Sequence, residues 1–154
     1  MAKFKIPCIV RPIKLGDYQP EYGYTTIWTW VNPPDDFLRE RQETLRKTLE
    51  AQREIVAALE KAQGEISKEE KAALETVRSA SVQKINEAGE ETMRWIARAW
   101  SQHTDAAEHW TVEEVQALVA ETAGEAGTDP GLWVWLVGRT LEMVVAYRSA
   151  RKKG

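Results

Sequence analysis

Cysteine occurs once in the 154 residues, at Cys8, and histidine twice, at His103 and His109. A lone cysteine closes no internal disulfide, so nothing in the chain calls for an oxidising compartment. As a nucleophile Cys8 would need an activating base or positive field; a half-buried cysteine in a strand is the expectation. The two histidines, with Asp105 and Glu108 between them, form the sharpest metal candidate. Six residues do not bring both imidazoles to one helical face, however, and no second ligand cluster completes a site, so a plain corner between helices is expected. The chain has no glycine-rich phosphate loop, no Gly-x-Ser-x-Gly elbow and no His-Glu-x-x-His pair. Adjacent carboxylates such as Glu69-Glu70, Glu90-Glu91 and Glu113-Glu114 point about 100° apart on a helix and read as solvated faces, not acid–base dyads. No catalysis and no cofactor are expected.

Long apolar runs are also missing. The stretch Leu132 to Tyr147 is too short for a bilayer and carries Arg139 and Glu142. Lys3 and Lys5 precede only the brief Ile6–Val10 run, which is no signal peptide. A cytoplasmic protein without membrane contact is expected. Positive charge is absent over one long interval: no Lys or Arg lies between Arg98 and Arg139, where seven acidic residues fall. The N-terminal segment (Lys3, Lys5, Arg11, Lys14) and the tail (Arg148, Arg151, Lys152, Lys153) lean basic. With a net charge of −3 and no helix bearing a basic, base-reading face, this layout favours a protein partner or a homo-oligomer over nucleic acid.

What is present reads as one mainly α domain with a small N-terminal β hairpin or arm, an α+β arrangement. Residues 1–31 form the arm. Phe4 to Leu15 is broken by Pro7 and Pro12, as suits an edge strand, and Thr25 to Val31 is the better strand. Residues 33–102 form two long amphipathic helices. The first opens at Pro33-Pro34 with Asp35 and Asp36 in its first turn, and runs to about Gln63. Phe37, Leu38, Leu45, Leu49, Ile55, Val56 and Leu59 share one face, expected to be buried. Ser67 with Glu70 makes a capping box that starts the second helix, about Lys68 to Gln102, with Leu74, Val77, Val82, Ile85, Ala88, Met93, Trp95, Ile96 and Trp100 on its stripe. An antiparallel hairpin is the natural arrangement, and an extended rod paired with a partner helix is the competing one. Residues 111–148 hold a helix pair: Thr111 with Glu114 opens a helix to about Thr122, and Asp129-Pro130 opens one to about Arg148. Residues 149–154 are a basic tail expected to fray.

Seven tryptophans are the unusual feature. Trp95, Trp100 and Trp133 suit a core. On α-helical spacing Trp135 falls opposite the apolar face, beside Arg139 and Glu142. It is either capped by another segment of the chain or offered to a partner, where tryptophan is enriched among hot spots. Alternation places Trp28 and Trp30 on one face of their strand and Ile27, Thr29 and Val31 on the other; either face can be the covered one. Trp135, Arg139, Glu142, Trp28 and Trp30 are therefore the partner-binding candidates.

The segment Ile27-Trp28-Thr29-Trp30-Val31-Asn32-Pro33-Pro34 before a charged helix, a helix closing on Trp95-Ile96-Ala97-Arg98-Ala99-Trp100, a short acidic helix, and Asp129-Pro130 opening an aromatic-rich helix together resemble tail assembly chaperones of long-tailed bacteriophages. The resemblance covers the chain in outline, with a longer central helical stretch than that family has. It implies a non-catalytic protein that coats a hydrophobic, helical tape-measure protein in the host cytoplasm until tail-tube subunits replace it. The alternative is a structural subunit of a virion or similar assembly, a tail or head-tail component.

Overall fold

The computed structural model describes residues 8–64, 66–102, 104, 108–123 and 129–153. The chain is mainly helical with a small antiparallel sheet, and divides into two compact units, residues 1–35 with 93–154 and residues 36–92.

The first unit is built on three strands, β1 (Val10–Lys14), β2 (Thr26–Trp30) and β3 (Trp100–Ser101), in the order β1-β2-β3. β1 pairs antiparallel with β2, Val10 opposite Trp30 and Lys14 opposite Thr26. Pro12 sits in this edge strand, where a missing amide donor costs no ladder bond. Two 3-10 turns, Leu15–Asp17 and Pro20–Tyr22, connect β1 to β2. At Gly16 an added Cβ would lie 2.5 Å from the Gly23 carbonyl oxygen, so the connection closes only around glycine.

The third strand was not expected. The second long helix stops at Ala99 instead of Gln102, and Trp100 pairs opposite Thr29 in the sheet. Extended backbone there gives the Trp100 carbonyl a donor in the Trp110 amide at 3.1 Å, while the Gln102 amide reaches the Glu108 carbonyl at 2.7 Å. The Trp100 side chain is fully buried, its Nε1 donating to Thr140 Oγ1 at 3.0 Å. A buried indole N–H has to find an acceptor, and the strand geometry supplies it.

Around this sheet lie the last turns of the second long helix, with Trp95, Ile96, Ala97 and Ala99 buried, and the two C-terminal helices. The helix Val112–Thr122 starts on a complete capping box, Thr111 and Glu114 each accepting from the other's backbone amide. The last helix, Pro130–Lys153, buries Leu132, Leu136, Thr140 and Val144, a 4-4-4 row on one face. It continues through Ala150 and Arg151 to Lys153 instead of fraying after Arg148; cations in a last turn complement the helix dipole.

The second unit is a helical hairpin. In chain order, α1 is Asp35–Ala62 and α2 is Lys68–Ala99, of which 36–62 and 68–92 belong here; α3 and α4 denote Val112–Thr122 and Pro130–Lys153. Ser67 Oγ accepts from the Glu70 amide at 3.1 Å, starting α2 as its capping residue. The arms run antiparallel, because Thr44 near the start of α1 meets Glu91 late in α2, and Glu54 meets Ser81. The seam departs from expectation. It is made of small residues seven apart, Thr44, Ala51 and Ala58 on α1 and Ser81 and Ala88 on α2, all buried. Of the large apolar residues expected to fill it, Phe37 is buried and Leu38, Ile55, Leu74 and Ile85 are half-buried, but the others are outside. Leu45, Leu49, Val56 and Leu59 are 44, 46, 53 and 49% exposed, and Val77 and Val82 are both 43% exposed. The Thr44 and Ser81 hydroxyls of this seam donate to Glu91 and Glu54 of the facing arm, which holds the small rows together and leaves these larger residues to either side.

Candidate functional site

The seam determines what the hairpin shows on either side. At 100° per residue, Lys47 and Glu54 lie about 60° to one side of the Thr44-Ala51-Ala58 row, where they meet Lys84 and Glu91. Lys47 Nζ is 3.6 Å from Glu91 and Lys84 Nζ 3.5 Å from Glu54. The same carboxylates accept from the seam hydroxyls, Glu91 from Thr44 at 3.0 Å and Glu54 from Ser81 at 2.8 Å. This side is a charged groove of about 280 Å³ lined by Lys47, Glu50, Lys84, Glu87, Ala88 and Glu91.

On the opposite side the row Leu45, Leu49, Gln52, Val56, Leu59 follows a 4-3-4-3 spacing within about 80° of arc, and α2 adds half-buried Ile85 and exposed Val82. A shallow groove of about 300 Å³ along α1 runs between Leu49, Gln52, Arg53, Val56, Ala57 and Glu60. The hairpin is thus amphipathic as a unit, with one side carrying ion pairs and the other an aliphatic row interrupted by Gln52 and edged by Arg53 and Glu60. A 4-3 spacing is the pattern by which one helix receives another. Arg46 flanks the row and is held on its own helix by Glu43 and Glu50.

The tryptophans lie elsewhere. All seven belong to the first unit, Trp95 and Trp100 buried and the other five half-buried. Trp135 is covered from within the chain, its ring 5.3 Å from that of Tyr18. Tyr18 and Tyr22 each donate to Asp129, to Oδ1 and Oδ2 respectively, both at 2.9 Å. An added Cβ on Gly131 would come within 2.7 Å of the Tyr18 hydroxyl, so the turn and the start of α4 approach closely. Partial burial raises the Asp129 carboxyl, but the two tyrosine hydroxyls and the Gly131 and Leu132 amides outweigh it and hold the group below its ordinary range. Tyr18 and Tyr22 are pushed up, chiefly by donating to that carboxylate and further by burial and its charge. The sequence signal for this cluster was the Tyr18 and Tyr22 pair in a turn, which proximity along the chain does not connect to Asp129.

Arg139 and Glu142 pair with each other at 3.3 Å along α4. On β2 the covered face is that of Ile27, Thr29 and Val31, all buried, and Trp28 and Trp30 share the half-buried opposite face. Trp30 lies with its ring 6.3 Å from that of His109. It also lines a cleft of about 350 Å³ with Pro33, Pro34, Tyr147, Arg148 and Arg151, beside which Arg148 pairs with Asp35. Cys8, expected half-buried within a strand, is exposed and precedes β1. His103 and Asp105 lie outside the described residues; His109 is exposed, and among the described residues no three His, Cys, Asp or Glu side chains are grouped to hold a metal ion. No helix among the described residues is long and apolar enough to cross a membrane. No family model, no curated protein and no solved structure matches this chain.

Proposed function

We propose that this chain is a non-catalytic protein-binding protein whose helical hairpin takes up an apolar helix of another polypeptide. The observation that carries the reading is the row Leu45, Leu49, Val56 and Leu59, four large aliphatic residues each about half exposed on one helix at heptad spacing. Scattered surface leucines are ordinary; a contiguous aliphatic row rimmed by charged residues such as Arg46, Arg53 and Glu60 is the signature of an interaction face. The groove binds through dispersion and burial and through few fixed polar contacts, which suits a partner defined by helical amphipathicity more than by exact sequence. The likeness to tail assembly chaperones gives the reading its particular form. A chaperone for a helical, tape-measure-type protein needs an aliphatic face of this kind, ion-paired flanks for solubility, and an affinity low enough for the partner to be handed on.

The test is site-specific photocrosslinking. A photoreactive residue at Val56 in the full-length chain, expressed in the cells where it normally acts, is expected to capture a helical protein that the same probe at Glu87, on the charged side, does not. Val56→Glu is expected to abolish co-purification of that protein while leaving the far-ultraviolet circular dichroism unchanged. Capture confined to probes at Trp30 or Trp135 would overturn this assignment and move the site to the first unit.

A further inference from the structure

The face on which the proposed function rests has a second property: it is nearly symmetric along its own length. Leu45 and Leu59 stand seven residues to either side of Gln52, and Leu49 and Val56 stand three before and four after it. We infer that in the free protein a second copy of this chain covers the face, the two hairpins packing as a four-helix bundle with α1 antiparallel to its twin and Gln52 on the two-fold axis.

Three observations select a second copy. The first is self-complementarity. An isologous interface needs one patch that matches itself when reversed, and this row places aliphatic against aliphatic along its length. Its single polar member then falls beside its own twin, where each Gln52 amide offers both a donor and an acceptor to the other. One polar residue in an apolar seam fixes register.

The second is size. Arms of 28 and 32 residues, of which about 25 lie in the hairpin, make it about 40 Å long and two helix diameters, about 20 Å, across. A facing copy covers about 800 Å² on each partner, the area of a standard stable interface.

The third is charge along the rim. With Gln52 on the axis, Arg46 of one copy runs beside Glu60 of the other, twice over, whereas Arg53 meets its twin. Two favourable pairings set against one unfavourable one give a specific but separable dimer. Self-association then competes with the foreign helix for one face. The dimer would shield the aliphatic row until a partner with a better-matched helix displaces the second copy.

Sedimentation equilibrium of the full-length chain tests this without any partner. The mass is expected to rise with concentration from 17.5 kDa towards twice that value. Val56→Glu is expected to stay monomeric with its helical circular dichroism intact. In a Cys8→Ser background, Gln52→Cys is expected to form an intermolecular disulfide on mild oxidation, and Lys47→Cys, on the charged side, is not. A wild-type chain that stays monomeric throughout, a Val56→Glu dimer, or equal crosslinking at the two positions overturns the inference. If Val56→Glu loses its helical signal, the pair of cysteine variants decides alone. A monomer that still captures a helical protein at Val56 would sink the dimer and leave the proposed function standing; a dimer that captures nothing would do the reverse.

Discussion

The two units solve the same packing problem with opposite materials. The first holds all seven tryptophans and all four tyrosines; the second holds one aromatic residue, Phe37. In the first, large side chains are in the interior: Trp100, Ile13, Ile96, Leu132 and Leu136 are fully buried, and the indole N–H and the threonine hydroxyls of the core are hydrogen bonded. In the second, alanine, serine and threonine are inside with Phe37, while Leu45, Leu49, Val56, Leu59, Val77 and Val82 are exposed. An alanine methyl removes little apolar surface from water, about a third of what a leucine does, so the hairpin gains modestly from its own seam. Its larger aliphatic groups, Leu45, Leu49, Val56 and Leu59, stay on its surface.

The sharpest way to break the comparison is at Trp100. Trp100→Ala is expected to destabilise the first unit by about 3–5 kcal/mol, through a large cavity and the loss of the buried indole bond to Thr140, whose hydroxyl keeps its own bond to the Leu136 carbonyl. Chemical denaturation followed by tryptophan fluorescence reads this directly, since every indole reports the first unit alone. The next largest effect is expected in the seam, with the sign reversed in size: Ala51→Leu, a small-to-large change, should cost about 1–3 kcal/mol in the helical circular dichroism transition because the arms must separate. If Ala51→Leu were neutral, the seam would be loose and the outward leucines would need another explanation.

A smaller effect concerns the Asp129 cluster. Its carboxyl is lower in the folded than in the unfolded chain, so its contribution is present above the unfolded value near 4 and is lost as the pH falls through the folded one. Tyr18 and Tyr22 are raised, so their contribution is intact below about 10 and is lost as the pH rises through their folded values. Trp135 fluorescence, with Tyr18 against the ring, is expected to change at both extremes in the wild type, and Asp129→Asn should remove the acid transition. The smallest effect is expected at Val134, 71% exposed on α4. Val134→Ser should shift stability by no more than about 0.5 kcal/mol, whereas Leu132→Ala, two residues away and buried, should cost about 2–5 kcal/mol.

Much of the fold was legible because its signals are local. The Thr111–Glu114 box, Ser67 before Glu70 and Asp129 before Pro130 each satisfy helix-end amides within one turn, so the boundaries they mark are fixed by three or four neighbouring residues. The edge position of Pro12 follows from its missing donor in the same way. Trp100 was misplaced because its helical stripe continued without a break; the strand it joins exists only through Thr29, Trp110 and Thr140. The candidate site was the least legible part: the tryptophans stand out in the sequence by their rarity, and the structure leaves Trp28, Trp30 and Trp135 half-buried, with Trp135 against Tyr18, while the more exposed aliphatic row belongs to the unit without a tryptophan.

The amino-acid sequence alone determined that α1 is amphipathic, where it starts and stops, and that leucine and valine recur along it at coiled-coil spacing. It could not determine which of two adjoining rows, the small one or the large one, would face α2, because both are apolar and both keep helical period. Tertiary packing made that choice: the small rows carry Thr44 and Ser81, whose hydroxyls donate to Glu91 and Glu54 of the facing arm, a bond that no leucine or valine can make. That choice turned Leu45, Leu49, Val56 and Leu59 outward.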